Sequence, residues 1–261
     1  FHSHRLTRLR GYLMMHAPRW MSAVALSFSI LITSSSFAET IAVIGTGRMG
    51  AAAGPRLAEA GHTVIYGTRD PSSEKIQELL SRTPRGTAVS QGEAVRSAEL
   101  ILLAIPWFAT EEFIKTNAPW GGKLIMDMVN ASTMGADGLL EMNVSTSAGE
   151  LIQSWAPGAT IVKTFNTVSY HIIADPSIAK GMVTIPLASD DAAAKERVAA
   201  IVSSIGLQPF DAGPFRFTRA LEHMSTLHMV PYLQDRWEDA YEFYFVTGTA
   251  PTGVSGVRLA K

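Results

Sequence analysis

The residues best suited to chemistry lie at the ends of apolar runs. Gly45-Thr46-Gly47-Arg48-Met49-Gly50 follows the run Ile41-Ala-Val-Ile44 and opens a helical pattern, and a second apolar run, Thr63-Val-Ile-Tyr66, comes after Gly61. A strand, this glycine spacing and a helix within about 30 residues form a dinucleotide-binding arrangement. The first glycine makes the turn, the second lets backbone approach a pyrophosphate and the third brings the helix against the sheet. Backbone N–H groups at the helix start would hold the phosphates. About 20 residues past the first glycine, an acidic side chain would take the ribose hydroxyls of NAD; Thr68 and Arg69 stand there instead. A hydroxyl and a guanidinium suit a 2′-phosphate, so NADP(H) is favoured over NAD. Asp70, next to Pro71, reads as the cap of the following helix.

Three further strand ends supply candidates. Leu100 to Ile105 is a continuous apolar run ending at Pro106 and Trp107, so Ala104, Ile105, Pro106 and Trp107 are placed to pack on a nicotinamide ribose, plain core being the other reading. Asn130 follows the strand Lys123–Asp127 and could hold a carboxamide or a second cofactor, or only cap its loop. Asn166 and Thr167 follow the strand Thr160–Phe165.

Acids and bases are scarce around these positions. His171 is the best-placed proton donor, although a partly buried, hydrogen-bonded histidine is the plainer account. His223 and His228 are five apart on one expected helix and so face different ways, against a shared metal; no metal site is expected. Glu111 and Glu112 read as a solvated helix face, and Lys163 and Lys180 have no apparent partner. Hydride exchange between a nicotinamide and a flavin-type ring needs mainly that the rings stack with reacting atoms about 3–3.5 Å apart, which apolar and amide side chains can arrange.

Strand and helix patterns alternate to about residue 211, predicting an α/β, Rossmann-type doubly wound, mostly parallel sheet with a short C-terminal helical extension. The expected divisions are a signal peptide over 1–38, an NAD(P)-binding Rossmann domain over 39–212 and an extension over 213–261 packing on that domain. Residues 131–146 read as a polar loop near the site, and the extension as a helix Arg216–Met229 stopped by Pro231, followed by an acidic and aromatic stretch covering a sheet edge or a partner.

The composition, 47% hydrophobic and 17% charged, is that of a globular chain long enough for a real core. Formal net charge is −1, but the four arginines up to Arg19 face no acid before residue 39; without them 18 basic residues stand against 23 acidic ones. A mildly acidic body argues against nucleic acid as partner. Absence of cysteine excludes disulfides and thiolate chemistry. The arginines, the apolar stretch Trp20–Thr33 and the small residues Ser36 and Ala38 ahead of Glu39 have the layout of a secretory signal peptide. Export, in a bacterium to the periplasm, with no stable membrane span after cleavage is the expectation, and a cytoplasmic place if the start is mis-assigned.

Ile41 to Gly50, Tyr66-Gly-Thr-Arg69, Ala104-Ile-Pro-Trp107 and above all Ile161-Val-Lys-Thr-Phe-Asn-Thr-Val168 together resemble the NADPH-dependent coenzyme F420 reductase family (F420:NADP oxidoreductases). They are also similar to the oxidoreductase domain of STEAP metalloreductases. The resemblance runs from about residue 40 to 212. It implies NADP on the glycine loop, its 2′-phosphate at Thr68 and Arg69, and coenzyme F420 or a flavin (FAD or FMN) stacked on the nicotinamide near Asn166 and Thr167. The expected partner is a small-molecule redox acceptor; a homodimer stays open. Two other readings remain, an imine or carbonyl reductase using His171 and an NADP-binding module without catalysis.

Overall fold

The structure, a computed structural model, describes residues 38–245. Apart from Ala38, the expected signal peptide lies outside them, as does the end of the C-terminal extension.

The first half of the chain runs β1 (Thr40–Ile44), α1 (Arg48–Glu59), β2 (Thr63–Thr68), α2 (Glu74–Ser81), β3 (Thr87–Ser90), α3 (Gln91–Ser97), β4 (Leu100–Leu103), α4 (Trp107–Thr116) and β5 (Leu124–Asp127). A hairpin, β6 (Ser132–Met134) and β7 (Leu140–Met142), interrupts the alternation. Then come α5 (Ala148–Trp155), β8 (Thr160–Lys163), α6 (Tyr170–Ala174), β9 (Thr184–Ala188), α7 (Ala192–Ser204), β10 (Gln208–Gly213) and α8 (Thr218–Leu233).

Eight strands form one sheet in the order β10-β9-β8-β5-β4-β1-β2-β3. The pairs from β3 across to β8 are parallel, and so are β9 and β10; β9 meets β8 antiparallel at Lys163 and Ala188. The fold is therefore the expected mostly parallel α/β sheet, with its last two strands reversed. Strand pleating sorts alternate residues to opposite faces. Ile41, Val43, Leu100, Leu102 and Val162 pack with Leu57 of α1, Ile172 of α6 and Val198 of α7. Ala42, Ile44, Ile101, Leu103 and Ile161 pack with Val95 of α3, Phe113 of α4 and Ile152 of α5. With both faces covered, the central strands can be continuously apolar. Chain order reverses between β1 and β4, which places the ligand crevice outside the carboxyl ends of these strands.

Three expectations need correction. Asp70 does not cap α2: its Oδ1 accepts from the backbone N and hydroxyl of Ser72, closing a turn, and the helix begins only at Glu74. The stretch 131–146 is not a plain loop but contains the hairpin, whose three-residue strands are too short to show alternation. Pro231 does not stop the C-terminal helix. A proline removes the donor for the carbonyl four residues back, and here the Tyr241 hydroxyl donates to the Leu227 carbonyl at 2.7 Å, so α8 continues to Leu233. The aromatic stretch does cover a strand edge, the start of β9 that β8 leaves unpaired, with Thr184 N donating to Phe243 O and Phe245 N to Thr184 Oγ1. Among the described residues no helix is long and apolar enough to cross a membrane.

Candidate functional site

The glycine loop is constrained by backbone on two sides. Gly45 has φ +101°, and a Cβ there would lie 2.4 Å from the Ala104 carbonyl oxygen; a Cβ on Gly50 would lie 1.9 Å from the Gly45 oxygen. Gly47 is different, since a Cβ there meets nothing within 4 Å. It is the N-cap of α1, which has no side-chain cap and no acid in its first turn, whereas α3, α5 and α7 are capped by Ser90, Ser147 and Asp191. The first N–H groups of α1 thus open onto free space, as a bound pyrophosphate requires. Thr46 and Met49 are half-buried, and the exposed Arg48 holds its guanidinium 5.6 Å over the Tyr170 ring.

Ile44 pairs with Gly67, so Thr68 and Arg69 emerge beside the loop. The Thr68 hydroxyl is buried and accepts from Asp70 N, leaving its own proton to donate. Arg69 is exposed and has no ion-pair partner among the described residues, while Asp70 is engaged by Ser72. This donor set fits a 2′-phosphate.

Where β4 and β5 end, a cleft of about 590 Å³ is walled by Ile105, Pro106, Trp107, Met128, Asn130 and the hairpin residues Ser132 to Met134. Among the described residues no titratable side chain lines it. Asn130 and Asn166, 36 residues apart, meet here: Asn166 Nδ2 donates to Asn130 Oδ1 at 2.9 Å and to the Leu221 carbonyl of α8 at 2.8 Å. The turn that brings Asn166 back is made by Phe165, buried and held at φ 54°, where a bulky residue is strained by about 1–3 kcal/mol. Asn166 Oδ1 and the hydroxyls of Thr164 and Thr167 are buried without a partner among the described residues, and such groups are costly unless a ligand or water completes them.

Beneath this turn lies the feature that sequence reading missed. Lys163, Asp127 and Glu222 are all fully buried, with Lys163 Nζ 2.6 Å from Asp127 Oδ2 and 2.7 Å from Glu222 Oε1, and donating to Val129 O at 2.5 Å. Lys163 thus has two partners where the sequence offered none. Glu222 also accepts from Ala131 N, Ala148 N and Gly149 N, tying both ends of the hairpin segment and the start of α5 to α8. Burial pushes the Asp127 carboxyl above its usual range, Lys163 only partly offsetting this. Burial opposes the Lys163 charge, but Asp127 and Glu222 together outweigh it and hold the ammonium pKa above its ordinary value. One signal for the pair was available, because a lysine inside a buried strand needs a partner and Asp127 is its register neighbour on β5.

The histidines separate clearly. His171 is exposed on α6 with its ring 3.9 Å from that of Tyr170, and does not line the strand-end cleft. His223 is exposed, with Nδ1 against the Arg219 carbonyl. His228 is buried, its Nε2 3.2 Å from Glu242 Oε2.

Comparisons with known proteins agree with this geometry. Residues 40–131, which carry the glycine loop, Thr68-Arg69, the Pro106 strand end and Asn130, match the family described as NADP oxidoreductase, coenzyme F420-dependent. Metalloreductase STEAP3 of Rattus norvegicus is 26% identical over 186 residues, 71% of this chain; the chain spans 36% of that protein's length. A protein assigned as an F420-dependent NADP-reductase from Arthrobacter sp. FB24 superposes with a TM-score of 0.67 at 28% identity, over 74% of this chain and 93% of that one. A reductive aminase from Aspergillus terreus bound to NADPH, at 15% identity, TM-score 0.54, and 76% and 63% coverage, shares the fold alone. In sequence over residues 40–131, and in fold over about three quarters of its length, the chain is similar to NADP oxidoreductases of the coenzyme F420 type.

Proposed function

We propose that the protein is an NADP-dependent oxidoreductase that exchanges hydride between NADPH and a flavin or deazaflavin ring of the coenzyme F420 type. The observation that carries this reading is the make-up of the strand-end cleft, which offers apolar walls, hydroxyls and a paired amide but no titratable group. Such a site favours a reaction governed by ring placement. NADPH, when bound, supplies the hydride. The chain's own residues do the rest: N–H groups at Gly47, Arg48 and Met49 bind the pyrophosphate, and Thr68 and Arg69 the 2′-phosphate. Ala104, Ile105 and Pro106 pack on the nicotinamide half while excluding water, and the Asn130–Asn166 pair, with Thr167 behind it, orients the carboxamide.

Purified protein given NADPH and riboflavin, FMN or a 5-deazaflavin without oxygen should oxidise NADPH and reduce the ring in equal amounts. NADPH binding with no reduction of any such ring would sink the reading and leave a nucleotide-binding module. A reductase using His171 as proton donor is less well supported, because that side chain is exposed and away from the cleft. Export through residues 1–38 is a separate proposal. A mature N-terminus at Glu39 would support it, and an intact chain retained in the cytoplasm would refute it.

A further inference from the structure

The lip of the strand-end cleft carries large apolar side chains that nothing in the chain covers. Phe108, in the first turn of α4, lines the cleft and is 89% exposed; Met134, on the hairpin strand β6, lines it and is 57% exposed. Beside Phe108 the wall is firm, because Trp107 stacks on Trp155 with ring centroids 5.7 Å apart. Apolar groups left in water at the edge of a cleft gain burial when a flat apolar body lies against them. The volume of about 590 Å³ falls within the roughly 300–1,000 Å³ of sites that enclose a drug-sized ligand.

The same lip is acidic. The two segments that bound the cleft, 105–116 and 128–143, carry Glu111, Glu112, Asp137 and Glu141 against a single base, Lys115, which is bound to Glu111. On the hairpin the acids stand close to the cleft. Glu141 is the cross-strand partner of Thr133, a lining residue, so the two side chains share one face with Cβ atoms about 5 Å apart. Asp137 joins it at the hairpin tip: a Cβ on Gly135, next to Met134, would lie 3.0 Å from Asp137 Oδ1 and 3.4 Å from Glu141 Cδ. Both side chains are exposed, and neither has an ion-pair partner among the described residues.

We infer that the acceptor ring enters this cleft against Phe108 and Met134, face to face with the nicotinamide, and that Asp137 and Glu141 select rings whose side chain carries no phosphate or carboxylate. The inference rests on the ring-to-ring reading above, which puts the nicotinamide at the inner end of the cleft, by Ala104, Ile105 and the Asn130–Asn166 pair. In the exchange NADPH becomes NADP+ and the ring gains one hydride. The accompanying proton comes from water at the open lip, since among the described residues no titratable side chain lines the cleft. An anionic tail would lie beside two carboxylates without a counter-charge, and exposed charges act over about 10 Å at 0.1 M salt. A neutral ribityl tail meets no such repulsion.

The test compares riboflavin with FMN, which share one ring and differ by a phosphate. Binding to full-length protein saturated with NADP+ is read by quenching of flavin fluorescence, beside NADPH turnover with each ring. Riboflavin should bind at least about tenfold tighter at low salt, the gap closing as salt rises. Asp137→Asn combined with Glu141→Gln removes both charges and keeps an oxygen to accept from Leu139 N; it should strengthen FMN binding at least about threefold. The nucleotide's own phosphates repel FMN alike in parent and variant, so this difference reads the two carboxylates. Phe108→Ala should weaken both rings about three- to tenfold, with the melting temperature kept because the side chain is exposed. FMN that binds as well as riboflavin, or that gains nothing in the doubly substituted variant, overturns the charge selection even if both rings turn over. Riboflavin that fails to bind, or that binds unchanged in Phe108→Ala, overturns the place given to the ring. Riboflavin preferred in binding, with no turnover of either ring, upholds the cleft and its selection while the hydride reading falls.

Discussion

At the carboxyl end of β1 the site is made of backbone, whereas at the ends of β5 and β8 it is made of side chains. The first region needs only a short stretch of sequence: Gly45 and Gly50 allow carbonyls to approach where any Cβ would collide, and α1 keeps its first N–H groups uncapped. The second is assembled from Asp127, Lys163 and Glu222 on three separate elements, and from two asparagines that reach each other across 36 residues. Backbone N–H groups at the start of α1 are fixed in place and do not titrate. Buried side chains hold a hairpin, a helix start and a strained turn in one arrangement, at the cost of desolvating three charges.

The largest effect expected from breaking this contrast is at Lys163. Lys163→Met would leave two carboxylates buried without their cation, a loss of about 3–5 kcal/mol in denaturant unfolding. Retention of parental stability would mean that the cluster does not hold α8 to the sheet. Next comes Arg69→Ala. Losing charge-assisted bonds to a 2′-phosphate should cost about 1.5–3 kcal/mol of NADPH affinity and little of NADH affinity, with folding intact because Arg69 is exposed. Equal losses for both nucleotides would remove the assignment of that position. Gly47→Ala should be smaller and sharper: the new methyl group meets no protein atom, so the melting temperature should stay put, yet it intrudes on a ligand drawn close to the backbone and should weaken NADPH about tenfold. Unaltered NADPH affinity would show that nothing approaches the loop there.

The smallest effects are those of pH, and they run in opposite directions at two ion pairs. The Arg219 guanidinium holds the Glu150 carboxyl below its ordinary 4.5, so its stabilisation is present above pH 4.5 and fades as pH falls through the lowered value. The pair is solvent-exposed on the arginine side, so water screens it and its contribution is small. Lys163 has a raised value, so its contribution is complete below its ordinary 10.5 and is lost only as pH rises through the raised one. Unfolding curves of Arg219→Ala and the parent should therefore converge on acidification. A gap that widened instead would contradict the sign.

The same contrast explains what could be read from the sequence. The glycine loop, Thr68-Arg69 and the apolar strands depend on neighbours within about 30 residues, and period and spacing expose them. Asn130 and Asn166 were legible as strand-end polar groups, but their mutual bond depends on the Phe165 turn, and a bulky residue at positive φ is something no propensity announces. Glu222 was illegible, because an acid on a surface-patterned helix gives no sign of reaching a lysine 59 residues earlier. The helix boundary at Pro231 misled for the same reason: its missing donor is replaced by Tyr241 from a later segment.

The most direct test of the central claim is an anaerobic mixing of the protein with NADPH and a 5-deazaflavin, following both rings by absorbance. Our account predicts that NADPH is oxidised as the deazaflavin is reduced, one for one, and that Arg69→Ala raises the KM for NADPH without altering kcat. NADPH that binds, protected by an intact glycine loop, but never passes hydride to a deazaflavin or flavin ring would contradict it.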